Sequence, residues 1–294
     1  MKGKAVLIVG GTQGMGAASA LRFAAMGSSV TIVGRNSLLG EGVVSRMRAA
    51  APSTDSRFRF RQLDVTSMKG CREFCHSFVS DLRSEQAQLG AVVLCAGNLN
   101  YGPRRLTSEG LESGFALNFL SRFLMIRELL PFILEHRHDT RIVNVLGAGN
   151  GGSIDYEDLQ LEHGFSFIRA AVVHATLTDL TTLELGQRYK DHPSKPCFYH
   201  MFPGVVATNA LANGGFPCLI AKPASWVAPL LFPSAEKVSK TIVSIASDPE
   251  YGHHRSPGLL GPSGSEIRVP GYLKDSKDKQ LQIWRVANEI LDRI

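Results

Sequence analysis

The sequence predicts an α/β fold in which a doubly wound parallel sheet is covered by helices on both faces. Apolar runs of strand length alternate along the chain with segments of helix length, and this order is typical of a parallel sheet. With 44% hydrophobic and 20% charged residues, the 294-residue chain has the composition of an ordinary globular protein. The sequence contains no internal repeat and no linker, so we expect a single domain over residues 1–294.

The elements follow from these runs in chain order. Strands are predicted at residues 5–9, 29–33, 58–63, 91–95, 141–145 and 197–202. Helices are predicted at residues 16–26, 71–82, 111–134 and 167–187, with a C-terminal helix at about 276–292. One stripe of that last helix indicates a packing face formed by Leu281, Trp284, Asn288 and Leu291.

Residues 209–233 interrupt the alternation. The segment is apolar, but its prolines forbid one long helix. Two interpretations remain open: a flap over a ligand, or an irregular segment packed on the surface.

Composition and charge argue against several classes of function. The chain carries 32 Lys and Arg against 26 Asp and Glu, but the basic residues form no tract, so we expect no nucleic-acid partner. No apolar run approaches the ~18 residues of a membrane span, and no targeting signal is recognisable. The five cysteines lack metal-finger spacing, and the adjacent side chains of His253 and His254 diverge, so we expect no metal. These features predict a cytoplasmic protein without membrane attachment.

A glycine-rich turn follows the first predicted strand and opens the first predicted helix. It reads G-G-T-Q-G-M-G over residues 10–16. Glycines permit a tight turn and a close backbone approach to a pyrophosphate, whose charge the N-terminal amides of the next helix attract. The pattern therefore predicts a dinucleotide site formed by Gly10, Thr12, Gln13, Gly14, Met15 and Gly16.

The end of the second predicted strand indicates which dinucleotide binds. A site selective for NAD usually carries an acidic residue there, which binds both ribose hydroxyls. This chain has Arg35 and Asn36 instead. A guanidinium matches the geometry of a 2′-phosphate, so Arg35 favours NADP(H) as the cofactor.

Together with later motifs, these features resemble the short-chain dehydrogenases/reductases, a family with a Rossmann fold, from Lys4 to about Thr208. Further motifs of that family follow the third, fourth and sixth predicted strands and lie in the central helix, all in the family's order. The resemblance implies additional cofactor contacts at Asp64, Val65, Ala96, Gly97, Asn118, Arg169, Pro203, Gly204, Val206 and Thr208.

The resemblance also implies a Ser-Tyr-Lys triad in which Tyr exchanges a proton with a carbonyl or alcohol, and here the chain departs from the family. The serine place falls on Gly147, the tyrosine place on Phe165 and the lysine place on Arg169. A phenyl ring cannot donate a proton, and a guanidinium with a pKa above ~12 cannot relay one near neutral pH. We expect Asn118, Phe165 and Arg169 to form the catalytic centre without the family's proton donor.

A substitute proton donor is expected in the loop that precedes the helix of Phe165. A carboxyl group beside a dry phenyl ring would have its pKa raised toward neutrality, and it could then exchange a proton. The candidates in this loop are Asp155, Tyr156, Glu157, Asp158 and His163.

Three functions remain open from the sequence. The chain could transfer a hydride to an iminium or to a polarised C=C or C=O, use NADP(H) as a structural wall in a redox-neutral cyclisation or isomerisation, or sense NADP(H) without catalysis. The departure from the triad is similar to that of family members in fungal natural-product pathways. The apolar segment predicts a hydrophobic small-molecule substrate that enters between residues 147–164 and 209–233. The family often forms homo-oligomers through the helices that hold Asn118 and Arg169 here.

Overall fold

The computed structural model describes residues 1–98, 102–136, 138–204 and 233–294. Seven parallel strands form one sheet in the order β3-β2-β1-β4-β5-β6-β7. They are β1 (Ala5–Val9), β2 (Ser29–Gly34), β3 (Phe58–Gln62), β4 (Leu89–Leu94), β5 (Arg141–Val145), β6 (Cys197–Met201) and β7 (Gly258–Leu260).

Strand order reverses between β1 and β4, which are paired neighbours. In a doubly wound sheet the connections leave such a pair in opposite directions, so a crevice opens at the carboxyl ends of the two strands. Both strands are buried along their whole length, as strands covered by helices on both faces must be. The fold therefore places a ligand crevice directly after Val9 and Leu94.

Helices cover both faces of the sheet. They are α1 (Gly14–Ala25), α2 (Ser37–Ala50), α3 (Met68–Ser84), α4 (Ser113–Phe115), α5 (Ser121–Glu135), α6 (Phe167–Arg188), α7 (Ala235–Ser247) and α8 (Lys277–Asp292). A π-helical turn, Ala116–Leu120, joins α4 to α5. One core cluster packs α3, α5, α6 and α8 against the sheet, and the second packs α1, α2 and α7 against its other face.

Several of these helices have a side-chain cap at the N-terminus. Asn36, Ser67, Ser166 and Ser234 each accept a hydrogen bond from an amide in the first turn of α2, α3, α6 and α7, respectively. Such caps satisfy amides that have no partner within the helix. They explain why each of these helices begins directly after its capping residue.

The doubly wound fold predicted from the sequence is confirmed, and the six predicted strands are present within two residues at each end. The prediction omitted α2, α7 and the three-residue strand β7. The stripe predicted for the last helix is rotated, because Ile283, Ala287 and Leu291 are its buried residues and Trp284 is half-buried. The flap predicted at 209–233 lies outside the described residues except for Pro233.

Within the described ranges, no helix is long and apolar enough to cross a membrane. In the same part of the chain, no group of three His, Cys, Asp or Glu side chains is arranged to hold a metal ion. Cys71, Cys75, Cys95 and Cys197 are free thiols, and burial raises the pKa of Cys95 to about 12. These thiols therefore stay protonated at neutral pH.

Candidate functional site

The turn between β1 and α1 lies at the crevice where strand order reverses. Gly10 (φ +85°) and Gly14 (φ +55°) adopt left-handed backbone conformations that other residues rarely reach. A Cβ on Gly10 would lie 2.5 Å from the amide nitrogen of Ala96, and a Cβ on Gly16 would collide with the carbonyl oxygen of Gly10. The close packing of this turn against β4 and α1 therefore requires glycine.

The first turn of α1 presents its amides to this crevice. Gln13 is the N-cap residue, and its side chain makes no capping hydrogen bond. The N-terminal amides of a helix and its dipole attract anions. Because no acidic residue lies in this first turn, no side-chain charge there repels a pyrophosphate.

Arg35 follows β2 and is exposed beside the glycine turn. Its carbonyl oxygen accepts a hydrogen bond from Nε2 of Gln62 (3.0 Å), while its guanidinium has no hydrogen-bond or ion-pair partner among the described residues. Asn36 caps α2, because its Oδ1 accepts from the amide of Leu39 (3.0 Å). The side chain of Arg35 is thus free to bind an anion, whereas that of Asn36 is engaged in the helix cap.

One continuous cleft joins these features. It runs from Arg35 and Asp64, past the glycine turn, to Asn98 and Leu117. Oδ1 of Asp64 accepts from the amide and hydroxyl of Thr66 (3.0 and 2.9 Å), which fixes the turn after β3. The predicted cofactor residues that line the cleft are Gly10, Thr12, Gln13, Gly14, Met15, Gly16, Arg35, Asp64, Val65, Ala96 and Gly97.

Asn118 lies in the π-helical turn and forms two hydrogen bonds with Asn98, which lines the cleft at the end remote from Arg35. Its Oδ1 accepts from the amide of Asn98 (3.2 Å), and its Nδ2 donates to the carbonyl oxygen of the same residue (2.9 Å). Nδ2 also lies 3.3 Å from Nδ1 of His174 on α6. Burial, and then the charge of Arg122, lower the pKa of His174 to about 3, so this ring is neutral at neutral pH. Single π-helical turns occur frequently at functional sites.

The end of β5 places Gly147 at the carboxyl edge of the sheet, as the sequence predicts for the serine position. Its amide donates to Nε2 of His200 (3.1 Å). A Cβ on Gly147 would lie 3.2 Å from the Cβ of Ala175 on α6. The residue of α6 opposite the serine position is therefore Ala175, and Ala171 lies one helical turn before it.

Phe165 and Arg169 lie at the start of α6. Phe165 precedes α6, whose N-cap is Ser166, and its half-buried ring packs against the core. Arg169 is exposed, and its Nη1 donates back to the carbonyl oxygens of His163 and Gly164. The contacts of Phe165 are with the core and those of Arg169 are with the preceding loop, whereas Ala175 is the α6 residue beside Gly147.

The loop acids do not match the predicted proton donor. Asp155, Glu157 and His163 are exposed. Asp158 accepts hydrogen bonds from the amides of Glu162 (2.7 Å) and His163 (3.0 Å). Burial alone would raise the pKa of Asp158, but these amides and two nearby cationic groups lower it below its usual value. The shift is opposite to the predicted direction, so Asp158 stays ionised at neutral pH.

Tyr156 is half-buried, and burial raises the pKa of its hydroxyl. With residues 157–160, 162 and 163, it lines a depression against Val286 and Ile290 of α8. This depression shares no lining residue with the cofactor cleft, so the structure does not bring Tyr156 to that cleft.

A buried polar chain lies behind Gly147 and was missed from the sequence. The hydroxyl of Tyr272 donates to Oδ2 of Asp179 (2.5 Å), and Oδ1 of Asp179 accepts from Nδ1 of His200 (2.7 Å). The amide of Gly149 also donates to Asp179. Asp179 and His200 are both fully buried. His200 stands within the apolar run C-F-Y-H-M-F of β6 and the residue after it. A histidine in such a run is the sequence signal that could have indicated these buried hydrogen bonds.

The segment after β6 is described only in part. Pro203 is buried, and Gly204 has φ +76°, a conformation that favours glycine. A Cβ on Gly204 would contact Pro262 at 3.4 Å. Val206 and Thr208, also predicted to bind the cofactor, lie outside the described residues.

Sequence comparison relates this chain to oxidoreductases. A family model described as short chain dehydrogenase matches residues 4–153. The oxidoreductase AN1596 of Emericella nidulans is 32% identical over 217 residues, which cover 73% of this chain and 62% of that protein. The polyprenol dehydrogenase of Mus musculus is 30% identical over 292 residues, which cover 96% of this chain and 82% of that enzyme.

Solved structures share the fold. An uncharacterised protein from Mycobacterium paratuberculosis matches with a TM-score of 0.68 at 21% identity, over 99% of this chain and 94% of that one. A metagenomic short-chain oxidoreductase in complex with NADP matches with a TM-score of 0.61 at 15% identity, over 89% of this chain and 98% of that one. The family model matches residues 4–153 and the murine relative is 30% identical over 96% of this chain, so the chain belongs to the short-chain dehydrogenase family.

Proposed function

We propose that this chain is an NADP(H)-dependent oxidoreductase that acts on a hydrophobic small molecule through a site without the family's proton donor. The observation that carries the proposal is the continuous cleft from Arg35, past the glycine turn, to Asn98 and Leu117. The cleft crosses the point where strand order reverses, which is where dinucleotides bind in doubly wound sheets.

The residues present fit such a cofactor. The backbone at Gly10 and Gly16 leaves no room for a side chain, so the main chain can approach a pyrophosphate closely. The free guanidinium of Arg35 would bind a 2′-phosphate, and Asp64 with Val65 would border the adenine. When bound, a nicotinamide cofactor supplies or accepts a hydride.

The end of β5 and the facing part of α6 support the absence of the family's proton donor. In the family, Tyr and Lys are four residues apart on the helix beside the serine position. Ala171 and Ala175 have this spacing, and Ala175 is the residue opposite Gly147. We therefore assign the serine, tyrosine and lysine places to Gly147, Ala171 and Ala175, none of which can donate a proton.

This assignment restricts the reaction. A ketone develops an alkoxide when a hydride adds to it, and a positioned acid at that oxygen contributes ~10²–10⁴ in rate. An iminium needs no such acid, because its nitrogen becomes neutral when a hydride adds to the carbon. A polarised C=C becomes an enolate, which is a weaker base than an alkoxide and can take its proton at carbon from water. The three small residues also leave more room than Ser, Tyr and Lys would, which suits a bulky substrate. The polyprenol named for the murine relative is an example of a hydrophobic substrate in the family.

Product analysis with NADPH deuterated at the transferred position tests the proposal. The full chain would be incubated with three hydrophobic acceptors of similar size: a cyclic iminium, an enone and a simple ketone. We expect deuterium in the iminium or enone product, and ketone turnover slower by at least ~10²-fold. Gly16→Ala, in which the glycine turn cannot bind the cofactor closely, serves as the negative control. Ketone reduction as fast as that of the iminium would contradict the proposal, and unlabelled product would favour a redox-neutral isomerase.

A further inference from the structure

Arg122 is a buried cation near the end of the cofactor cleft that is remote from Arg35. It lies near the start of α5 and is only 4% exposed. Its Nη1 donates to the carbonyl oxygen of Leu94 (2.7 Å), and its Nη2 donates to those of Ala96 (2.6 Å) and Val145 (3.2 Å). These three carbonyls belong to the carboxyl ends of β4 and β5, or to the residues that follow them.

No carboxylate contacts this guanidinium within the described part of the chain; the buried carboxyl group of Glu112 lies beside His174 instead, with 3.9 Å between its Oε2 and Nε2 of His174. Arg122 forms no ion pair among the described residues, and its buried Nε has no hydrogen-bond partner. His174, which lies nearby, is neutral at neutral pH, as described above. Burial lowers the pKa of Arg122 itself to about 10, so the guanidinium remains protonated at neutral pH. Arg122 is therefore a poorly solvated cation without a direct ionic partner, and charge interactions in such surroundings are much stronger than in water.

Arg122 lies next to Gly97, which lines the cofactor cleft. A Cβ on Gly97 would lie 3.3 Å from Nη2 of Arg122 and 3.0 Å from Oδ1 of Asn118. Gly97 lines the cleft at the end remote from Arg35. With the 2′-phosphate at Arg35 and the pyrophosphate at the glycine turn, the nicotinamide half of the cofactor must occupy this remote end.

We propose that Arg122 is a specificity-determining charge that makes the cleft prefer the reduced cofactor, NADPH, over the oxidised form, NADP⁺. The inference rests on the proposed NADP(H) function. The two forms carry the same phosphates and differ in the ring, which is cationic when oxidised and neutral when reduced. A fixed cation near this end of the cleft would therefore penalise only the oxidised form. The preference favours loading with the form that donates a hydride, which is consistent with a reductase.

Two variants separate the charge of Arg122 from its scaffold role. Arg122→Gln keeps amide donors for the carbonyls but removes the charge, whereas Arg122→Lys keeps the charge with fewer donors. Dissociation constants for NADPH and NADP⁺ would be measured by calorimetry on the full chain. We expect the ratio of the NADP⁺ constant to the NADPH constant to fall by at least ~5-fold in Arg122→Gln and to change less than ~2-fold in Arg122→Lys. A purely structural role would weaken both forms equally.

The outcomes distinguish this inference from the proposed function. If the wild-type chain binds neither form, the proposed function fails. If it binds both with equal affinity, the inference about Arg122 is overturned while NADP(H) binding stands, and no variant is needed to reach this result. An unchanged ratio in a folded Arg122→Gln would overturn it as well.

Discussion

Gly16 shows how a single residue determines whether the cleft can bind a dinucleotide. A Cβ at this position would collide with the carbonyl oxygen of Gly10, so the turn must open to accept any side chain. We expect Gly16→Ala to weaken NADPH binding by at least ~10-fold, because the helix amides would no longer approach the pyrophosphate. Calorimetric titration measures this change.

Gly42 on α2 is the matched control. A Cβ there meets no atom within 4 Å, and the residue lies inside a helix. Gly42→Ala should leave NADPH affinity unchanged and raise the free energy of unfolding by up to ~1 kcal/mol, since alanine favours the helix. Equal NADPH affinity in Gly16→Ala and Gly42→Ala would contradict the role given to the glycine turn.

Site residues that directly follow a strand could be predicted from the sequence. The glycines and Arg35 directly follow strands, so their place in the cleft could be predicted from strand ends alone. Phe165 and Arg169 could not be placed this way, because the start of α6 is determined by the Ser166 cap after a long loop. The pKa of Asp158 likewise depends on two loop amides that no sequence pattern reveals.

Helix α6 carries a histidine that makes stability depend on pH. Burial lowers the pKa of His174 to about 3, whereas an unfolded histidine titrates near ~6.5. Between these values the unfolded chain binds a proton that the folded chain does not, so the free energy of unfolding falls as pH falls from about 6.5 towards 3. This single group contributes a slope of at most ~1.4 kcal/mol per pH unit.

Urea unfolding of wild type, His174→Gln and His163→Gln at pH 7 and pH 5 checks this. We expect His174→Gln to lose less stability than wild type over this interval, by about 1–2 kcal/mol. His163 is exposed in the loop before α6, so His163→Gln should behave like wild type. Parallel losses in all three proteins would show that His174 is not the group responsible.

The chain Tyr272–Asp179–His200 connects three elements: the segment before α8, helix α6 and strand β6. Removing the hydroxyl of Tyr272 leaves Oδ2 of Asp179 and the amide of Gly151 each short of one partner. We expect Tyr272→Phe to lower the free energy of unfolding by about 1.5–3 kcal/mol, as for other hydrogen bonds to charged groups. Thermal or urea unfolding measures it.

Tyr189→Phe is the comparison for that variant. The Tyr189 ring packs on Phe198, while its hydroxyl has no hydrogen-bond partner in the ranges that the structure describes. Its replacement should cost less than ~0.5 kcal/mol. A loss for Tyr272→Phe no greater than for Tyr189→Phe would mean that the buried chain adds nothing to stability.

Prediction of elements from the sequence succeeded for the long, apolar strands and failed for the weaker patterns. Strand β7 has three residues and begins with Gly258, so it is too short to show alternation. Helix α2 contains Gly40 and Gly42, which lower its helix propensity, and its Asn36 cap was read only as a cofactor residue. Helix α2 forms because the sheet and α1 pack against it, and a local sequence pattern does not show that packing.

At the scale of the whole molecule, α8 covers the helices that often pair between subunits in this family. Its Trp284 packs edge-on against Phe123 of α5 at a centroid distance of 5.2 Å, and the guanidinium of Arg188 on α6 lies 4.3 Å above the Trp284 ring. Arg127 of α5 also pairs with Asp292 (2.9 Å). The chain's own last helix thus packs on α6 and contacts part of α5, where the homo-oligomer surface is expected.

We therefore expect this chain to be monomeric, since a partner's helices that packed on α6 and the adjoining part of α5 would have to displace α8. Light scattering coupled to size exclusion should give the mass of one chain at micromolar concentration. Trp284→Ala should weaken the docking of α8 and lower the free energy of unfolding by at least ~2 kcal/mol. A stable dimer whose interface contains α5 and α6 would contradict this expectation.

We propose that the cleft binds NADP(H) and that Arg35 binds the 2′-phosphate of this cofactor. Calorimetric titration of wild type and Arg35→Glu with NADPH and NADH tests it most directly. We predict that wild type binds NADPH at least ~10-fold more tightly than NADH, a difference of ~1.4 kcal/mol, and that Arg35→Glu removes this difference. Equal affinity of the wild-type chain for NADPH and NADH, or no binding of either, would contradict the account.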